Sequence, residues 1–111
     1  MIQLLLHLIG DYLLQTDWMA KYKKQKGVDG LLACLTHCTL YSLMFFYVGN
    51  YQQVVFIFIT HFLIDRYYFI KWYMNTFDMK EFSKEPFSPW SIVIIDNTFH
   101  LLCNFVILEY L

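Results

Sequence analysis

Apolar residues fill four stretches of the chain, and polar residues interrupt them at helical intervals. In stretch 2–19, Gln3, His7, Asp11 and Gln15 follow one another in steps of four. On a helix they form one polar stripe that drifts slowly around the axis, with Leu, Ile, Tyr, Trp and Met on the other faces. Stretch 31–49 has a single ionisable side chain of note, His37. It is long enough for a bilayer crossing, which takes about 20 residues. Stretch 51–74 is apolar as far as His61 and Asp65 and then turns rich in Tyr and Trp. Stretch 90–110 places Asp96, His100 and Asn104 four apart. The pattern predicts an all-α polytopic membrane protein. It is one domain, 1–111, built as a bundle of four transmembrane helices over about 2–19, 31–49, 51–74 and 90–110.

The connections set an expected orientation. The first carries Lys21, Lys23, Lys24 and Lys26, the second (49–53) has no charge, and the third region holds Arg66, Lys71, Lys80 and Lys84. Positive charge collects on cytoplasmic loops, so loops 1 and 3 are expected to face the cytoplasm and both termini the outside of the inner membrane. Trp18, Tyr67, Tyr68, Trp72, Tyr73 and Trp90 suit the cytoplasmic interfacial belt. The N-terminus lacks a basic region, and its apolar run contains His7 and Asp11, so no cleaved signal peptide is expected.

Composition agrees. The chain has 111 residues, 59% hydrophobic and 21% aromatic, with only 15% charged. Soluble domains are about a quarter charged, and one this small would struggle to hide so much apolar surface. A net charge of −1 gives no reason to expect nucleic acid as a partner. Membrane lipids are the expected surroundings. Cys34, Cys38 and Cys103 lie in apolar segments without a CxxC, so they read as small buried hydrophobes.

The chemistry rests on one spacing. His7/Asp11 and His61/Asp65 stand four apart, and Asp96/His100 repeats the spacing in reverse order. Helices one and three run inward and helix four outward, so the reversal places all three Asp nearer the cytoplasm. Counting 1.5 Å per residue, the Asp lie roughly 9–12 Å from the cytoplasmic helix ends and their His roughly 15–18 Å. His37 lies roughly 10 Å in by the same count. Four histidines and three carboxylates thus share a narrow depth band. Ionisable groups there cost a few kcal/mol (roughly) unless compensated.

Imidazole and carboxylate together suit divalent metals, zinc or manganese first. The expected ligands are His7, Asp11, His37, His61, Asp65, Asp96 and His100, enough for one ion or for two about 3.5–4 Å apart. Asp11, Asp65 and His37 are also the candidate catalytic groups, His37 as ligand or general base. Gln15, Asn97 and Asn104 read as hydrogen-bond partners around the ligands, and Arg66 as a phosphate contact or an ordinary interfacial arginine. The competing reading is a set of His/Asp pairs that lock helices or relay protons without metal.

The run His7-Leu-Ile-Gly-Asp-Tyr-Leu-Leu-Gln-Thr-Asp-Trp-Met-Ala20 resembles the opening motif of a small bacterial and phage integral-membrane family, domain of unknown function 3307. The likeness continues through the His37 helix, His61-Phe-Leu-Ile-Asp-Arg66 and the Asp96/His100 motif, with Asn97 where the family pattern has glutamine. That family is similar in its His/Asp pattern to predicted membrane-bound metal-dependent hydrolases. The expected function is therefore an integral membrane hydrolase acting on a lipid-like ester or phosphoester at the cytoplasmic leaflet. The alternative is a non-enzymatic membrane protein that conducts protons or metal ions or serves phage–host membrane structure. With only four short helices around the site, a homo-oligomer would supply further walls.

Overall fold

The chain begins in helix. Ile2–Leu8 is α-helical (α1), and the same rod continues as a π turn over Ile9–Leu13. Helix α2 covers Asp17–Tyr22, and α3 covers Val28–Leu43 with a 3-10 extension Met44–Tyr47. Helix α4 is Tyr51–Arg66, α5 Phe69–Thr76 and α6 Trp90–Tyr110. This computed structural model describes residues 1–111 and contains no strand.

Helix α6 matches its predicted range, and two of the predicted helices are broken. The expected helix 2–19 stops at Leu13. Thr16 adopts extended backbone, and its hydroxyl accepts from Met19 N–H at 3.3 Å, starting α2 afresh. Gln15 turns back and donates its side-chain amide to the Asp11 carbonyl at 3.1 Å, so it serves a backbone group left over at the rod's end. The rod is about 18 Å long, well short of a hydrocarbon core of about 30 Å. The expected helix 51–74 breaks at Tyr67, which is extended (φ −110°, ψ 163°), and α5 leaves α4 at 69°. Here the Lys24 ammonium donates to the carbonyls of Ile64, Asp65 and Tyr67 at 3.2, 2.7 and 3.3 Å. A cation on the last carbonyls is a strong stop for a helix. Two helices, Val28–Tyr47 and Trp90–Tyr110, are long and apolar enough to cross a membrane. The bent pair α4–α5 makes a third if it counts as one span.

Polarity is inverted relative to a soluble domain. Among the largest fully buried side chains are all four histidines, Asp65, Asn104 and Tyr41. Leu5, Ile94, Leu102, Phe105 and Val106 are among many exposed apolar ones. In water such a surface would drive association; in lipid it is the outward face. Leu6, Tyr41, Phe45, Val54, Ile57 and Ile107 form an apolar cluster at the end of the bundle where α4 starts. There Asn50 and Gln53 cap α4 reciprocally, and Gln53 also donates to the carbonyls of Ile107 and Leu108. At the opposite end α5 is held to α6 through Phe69 and Tyr73, both edge-on to Phe99 at 5.0 and 4.7 Å.

Candidate metal centre

Four elements deliver the candidate side chains. Four residues of α-helix overshoot a full turn by about 40°. The wider π turn after Leu8 takes back part of that advance, and His7 Nε2 and Asp11 Oδ2 meet at 3.6 Å. Gly10 lets this rod close on α3, because a Cβ there would stand 2.6 Å from the Tyr41 ring. Helix α3 supplies His37 and Tyr41, α4 supplies His61 and Asp65, and α6 supplies Asp96, His100 and Asn104.

Asp11, His37, His61 and Asp65 form a buried quartet whose ligand atoms all lie within 4.8 Å of one another. His37 Nε2 is 3.1 Å from Asp11 Oδ1 and 3.0 Å from Asp65 Oδ2. His61 Nε2 is 3.3 and 3.2 Å from the same two oxygens. The two Nε2 atoms face each other at 3.0 Å. A second set, Asp11, Asp96 and His100, shares Asp11 with the first. Its His100 Nε2 lies 3.4 Å from Asp96 Oδ2 and 3.0 Å from Asp65 Oδ1. Six of the seven expected ligands therefore fall into two linked groups.

The seventh, His7, stands apart from both groups. With the Asn104 amide donating to Tyr41 Oη at 2.7 Å, the Tyr41 hydroxyl donates to His7 Nδ1, also at 2.7 Å. His7 Nε2 then carries the proton and donates to Asn97 Oδ1 at 2.9 Å. Asn97 Nδ2 in turn donates to the Tyr12 hydroxyl at 2.7 Å. Both His7 nitrogens have partners outside the two groups, and Nε2 lies 3.6 Å from Asp11 Oδ2. Asn97 bonds His7 and Tyr12, Asn104 bonds Tyr41, and neither bonds a member of the two groups, whereas Gln15 serves the backbone.

The basic connection belongs to the site, which its reading as a topology signal missed. Lys23 Nζ donates to Asp65 Oδ2 at 2.7 Å, and Lys24 caps α4 as described. Arg66 Nη1 reaches the Lys23 carbonyl at 3.5 Å. Gly30 makes the fold-back possible, since a Cβ there would lie 1.8 Å from the Gln25 carbonyl oxygen. Burial opposes charge on Lys23, but Asp65 more than offsets it and holds the ammonium above its ordinary pKa. Lys24 lacks that compensation and burial pushes its pKa down. The signal in the sequence was the pair Gly27 and Gly30 straight after the lysines, which allows a tight return.

Beside the cluster lies a cavity of about 240 Å³ whose lining includes Asp65 and Asp96, the lysines Lys23, Lys24 and Lys71, and the aliphatic Ile70, Ile92 and Val93.

The quartet fits a divalent cation. Bonds of about 2.0–2.2 Å give ligand–ligand edges of about 3.3–3.6 Å around a tetrahedral ion and about 2.8–3.1 Å between octahedral neighbours. The five His–Asp and His–His edges, 3.0–3.3 Å, fall across these ranges. Charge agrees. Of Asp11, Asp65 and Asp96 only Asp65 forms a salt bridge with a lysine, Lys23, and the other two have histidines as their nearest ionisable partners. His37 and His61 each leave Nδ1 without a hydrogen-bond partner in the chain and direct Nε2 into the cluster.

No curated protein and no solved structure matches this chain. Across residues 1–111 the sequence matches one family model, and the protein belongs to that family, described as protein of unknown function (DUF3307).

Proposed function

We propose that this protein is an integral membrane metal-dependent hydrolase. The observation that carries the reading is the convergence of Nε2 of His37 and His61 on Asp11 and Asp65. Asp11, His37, His61 and Asp65 hold one ion, and Asp96 and His100 with the shared Asp11 hold a second when two are bound. Zinc or manganese suits this mixed nitrogen and oxygen donor set. A bound divalent ion lowers the pKa of its water to about 7 in favourable sites and so supplies a nucleophile near neutral pH. The chain's own work is to hold the donors, with the Tyr41 ring stacked on His61 at 3.7 Å and Lys23 neutralising Asp65 at the mouth.

The substrate is an ester or phosphoester that enters from the lysine side. In the inner membrane this is the cytoplasmic side, with both termini outside and four crossings. The first of these is completed by α2 and the third is bent at Tyr67. A conducting path, the rival reading, has little support. The apolar cluster from Tyr41 to Ile107 closes the far end, and Gln53 is spent on capping.

Metal analysis of the full chain, purified in detergent without chelators, tests the proposal. Stoichiometric metal that disappears in Asp65→Ala is expected. Metal absent from every such sample overturns it.

A further inference from the structure

The cavity beside the cluster names a substrate class, on an argument that rests on the metal reading. We propose that it takes the phosphate of a phosphomonoester amphiphile, whose apolar chain runs along Ile70, Ile92 and Val93 into the lipid.

Three observations converge. First, the cavity lining combines lysines and aliphatic side chains with the carboxylates of Asp65 and Asp96. Each of those carboxylates belongs to one of the two candidate ion groups. Second, the lysines differ in what they are free to do. Lys24 is spent on three carbonyls. Lys71 forms no salt bridge, and its Nζ lies 5.6 Å from the centre of the Tyr68 ring. Lys23 keeps two donors beyond the one it gives Asp65. Third, about 240 Å³ holds a headgroup and the start of a chain but not a whole lipid. The aliphatic wall continues onto the outside of the bundle, where Val93 is 42% exposed.

A phosphomonoester fits this layout better than a diester. Its three terminal oxygens meet an ion, Lys23 and Lys71 together, and its charge of roughly −1.5 to −2 matches two ammonium groups. The lining carboxylates repel any anion until a divalent ion lies between them. Phosphate binding therefore depends on metal.

The test uses the full chain in neutral detergent micelles, loaded with manganese, and reads paramagnetic broadening of the phosphorus NMR line against protein-free controls. The probes are phosphatidic acid, phosphatidylcholine and glycerol phosphate. Phosphatidic acid is expected to bind at least about tenfold tighter than either of the others. Lys71→Glu is expected to abolish that preference and Lys71→Arg to keep it. Both are on an exposed side chain, and manganese content and helicity are read in the same samples. Equal affinity for phosphatidylcholine, or no effect of Lys71→Glu, overturns the phosphate site. Equal affinity for glycerol phosphate overturns the apolar wall and points to a soluble ligand. A chain that binds no manganese or zinc fails at the earlier step, and that failure is visible in metal content alone.

Discussion

Lys23 Nζ lies 2.7 Å from Asp65 Oδ2, across 42 residues of sequence, and that same oxygen is 3.0 and 3.2 Å from Nε2 of His37 and His61. One carboxylate oxygen thus serves a lysine from a loop and two histidines from different helices. Lysine and metal ion compensate the same buried charge, so each changes what the other is worth.

Lys23→Ala follows directly from this relationship. Removing one partner of a buried ion pair costs roughly 3–5 kcal/mol, because the other charge is left stranded. The metal-free variant is expected to lose stability on that scale, and the metal-loaded variant clearly less, since the ion takes over the compensation. Unfolding by denaturing detergent in mixed micelles, with and without zinc, measures both. An equal loss in the two states would mean that Lys23 and the ion do not share Asp65.

His7 and His61 look equivalent in sequence but not in space. His61→Gln is expected to abolish stoichiometric metal. His7→Gln is expected to retain it, with affinity reduced less than about tenfold, because His7 hydrogen-bonds to Tyr41 and Asn97 and to none of the proposed ligands. Metal content and competition against a chelator distinguish the two; a His7 variant as empty as the His61 variant would make His7 a ligand after all.

Gly10 sits where the π turn meets α3. In Gly10→Ala the new methyl group falls 2.6 Å from the Tyr41 ring, and the ring cannot retreat, being fully buried. Overpacking of this kind costs about 1–3 kcal/mol. Because Asp11 follows Gly10, weaker metal binding is expected together with a lower thermal midpoint. Unchanged values of both would show that the rod has room to shift.

Lys24→Met keeps the aliphatic stem but removes the ammonium from the end of α4. A cation in a partly buried site of this kind is worth up to about 2 kcal/mol. The expected result is faster amide hydrogen exchange at Tyr67 and Tyr68 and in the first turn of α5, with the start of α4 unchanged. Uniform protection along α4 and α5 would assign the bend to the aromatic contacts of α5 instead.

The helical class, the outward apolar faces and most of the candidate centre were legible in the sequence, because all depend on periodicity. Residues four apart share a helix face wherever the helix ends up, so His61/Asp65 and Asp96/His100 could be paired by counting. The reversed order in α6 placed them at one depth. The breaks at Leu14–Thr16 and at Tyr67 were not legible in the same way. Short polar runs, Gln15-Thr16-Asp17 and Asp65-Arg66, stand at both places, but the groups that end and restart the helices, the Thr16 hydroxyl and the Lys24 ammonium, act through specific hydrogen bonds.

The sequence by itself determined which side chains lie on common helix faces, and so that three acids and their histidines occupy one band. Only the tertiary structure decided how they divide. Asp11 joins both groups, and His7 is withdrawn into the Tyr41–Asn97 chain. Lys23, which reads as a loop charge, stands over Asp65. The reason is physical: a helix repeat constrains neighbours a turn apart, whereas contacts across 34, 42 or 90 residues depend on how closely the rods approach and where a loop folds back.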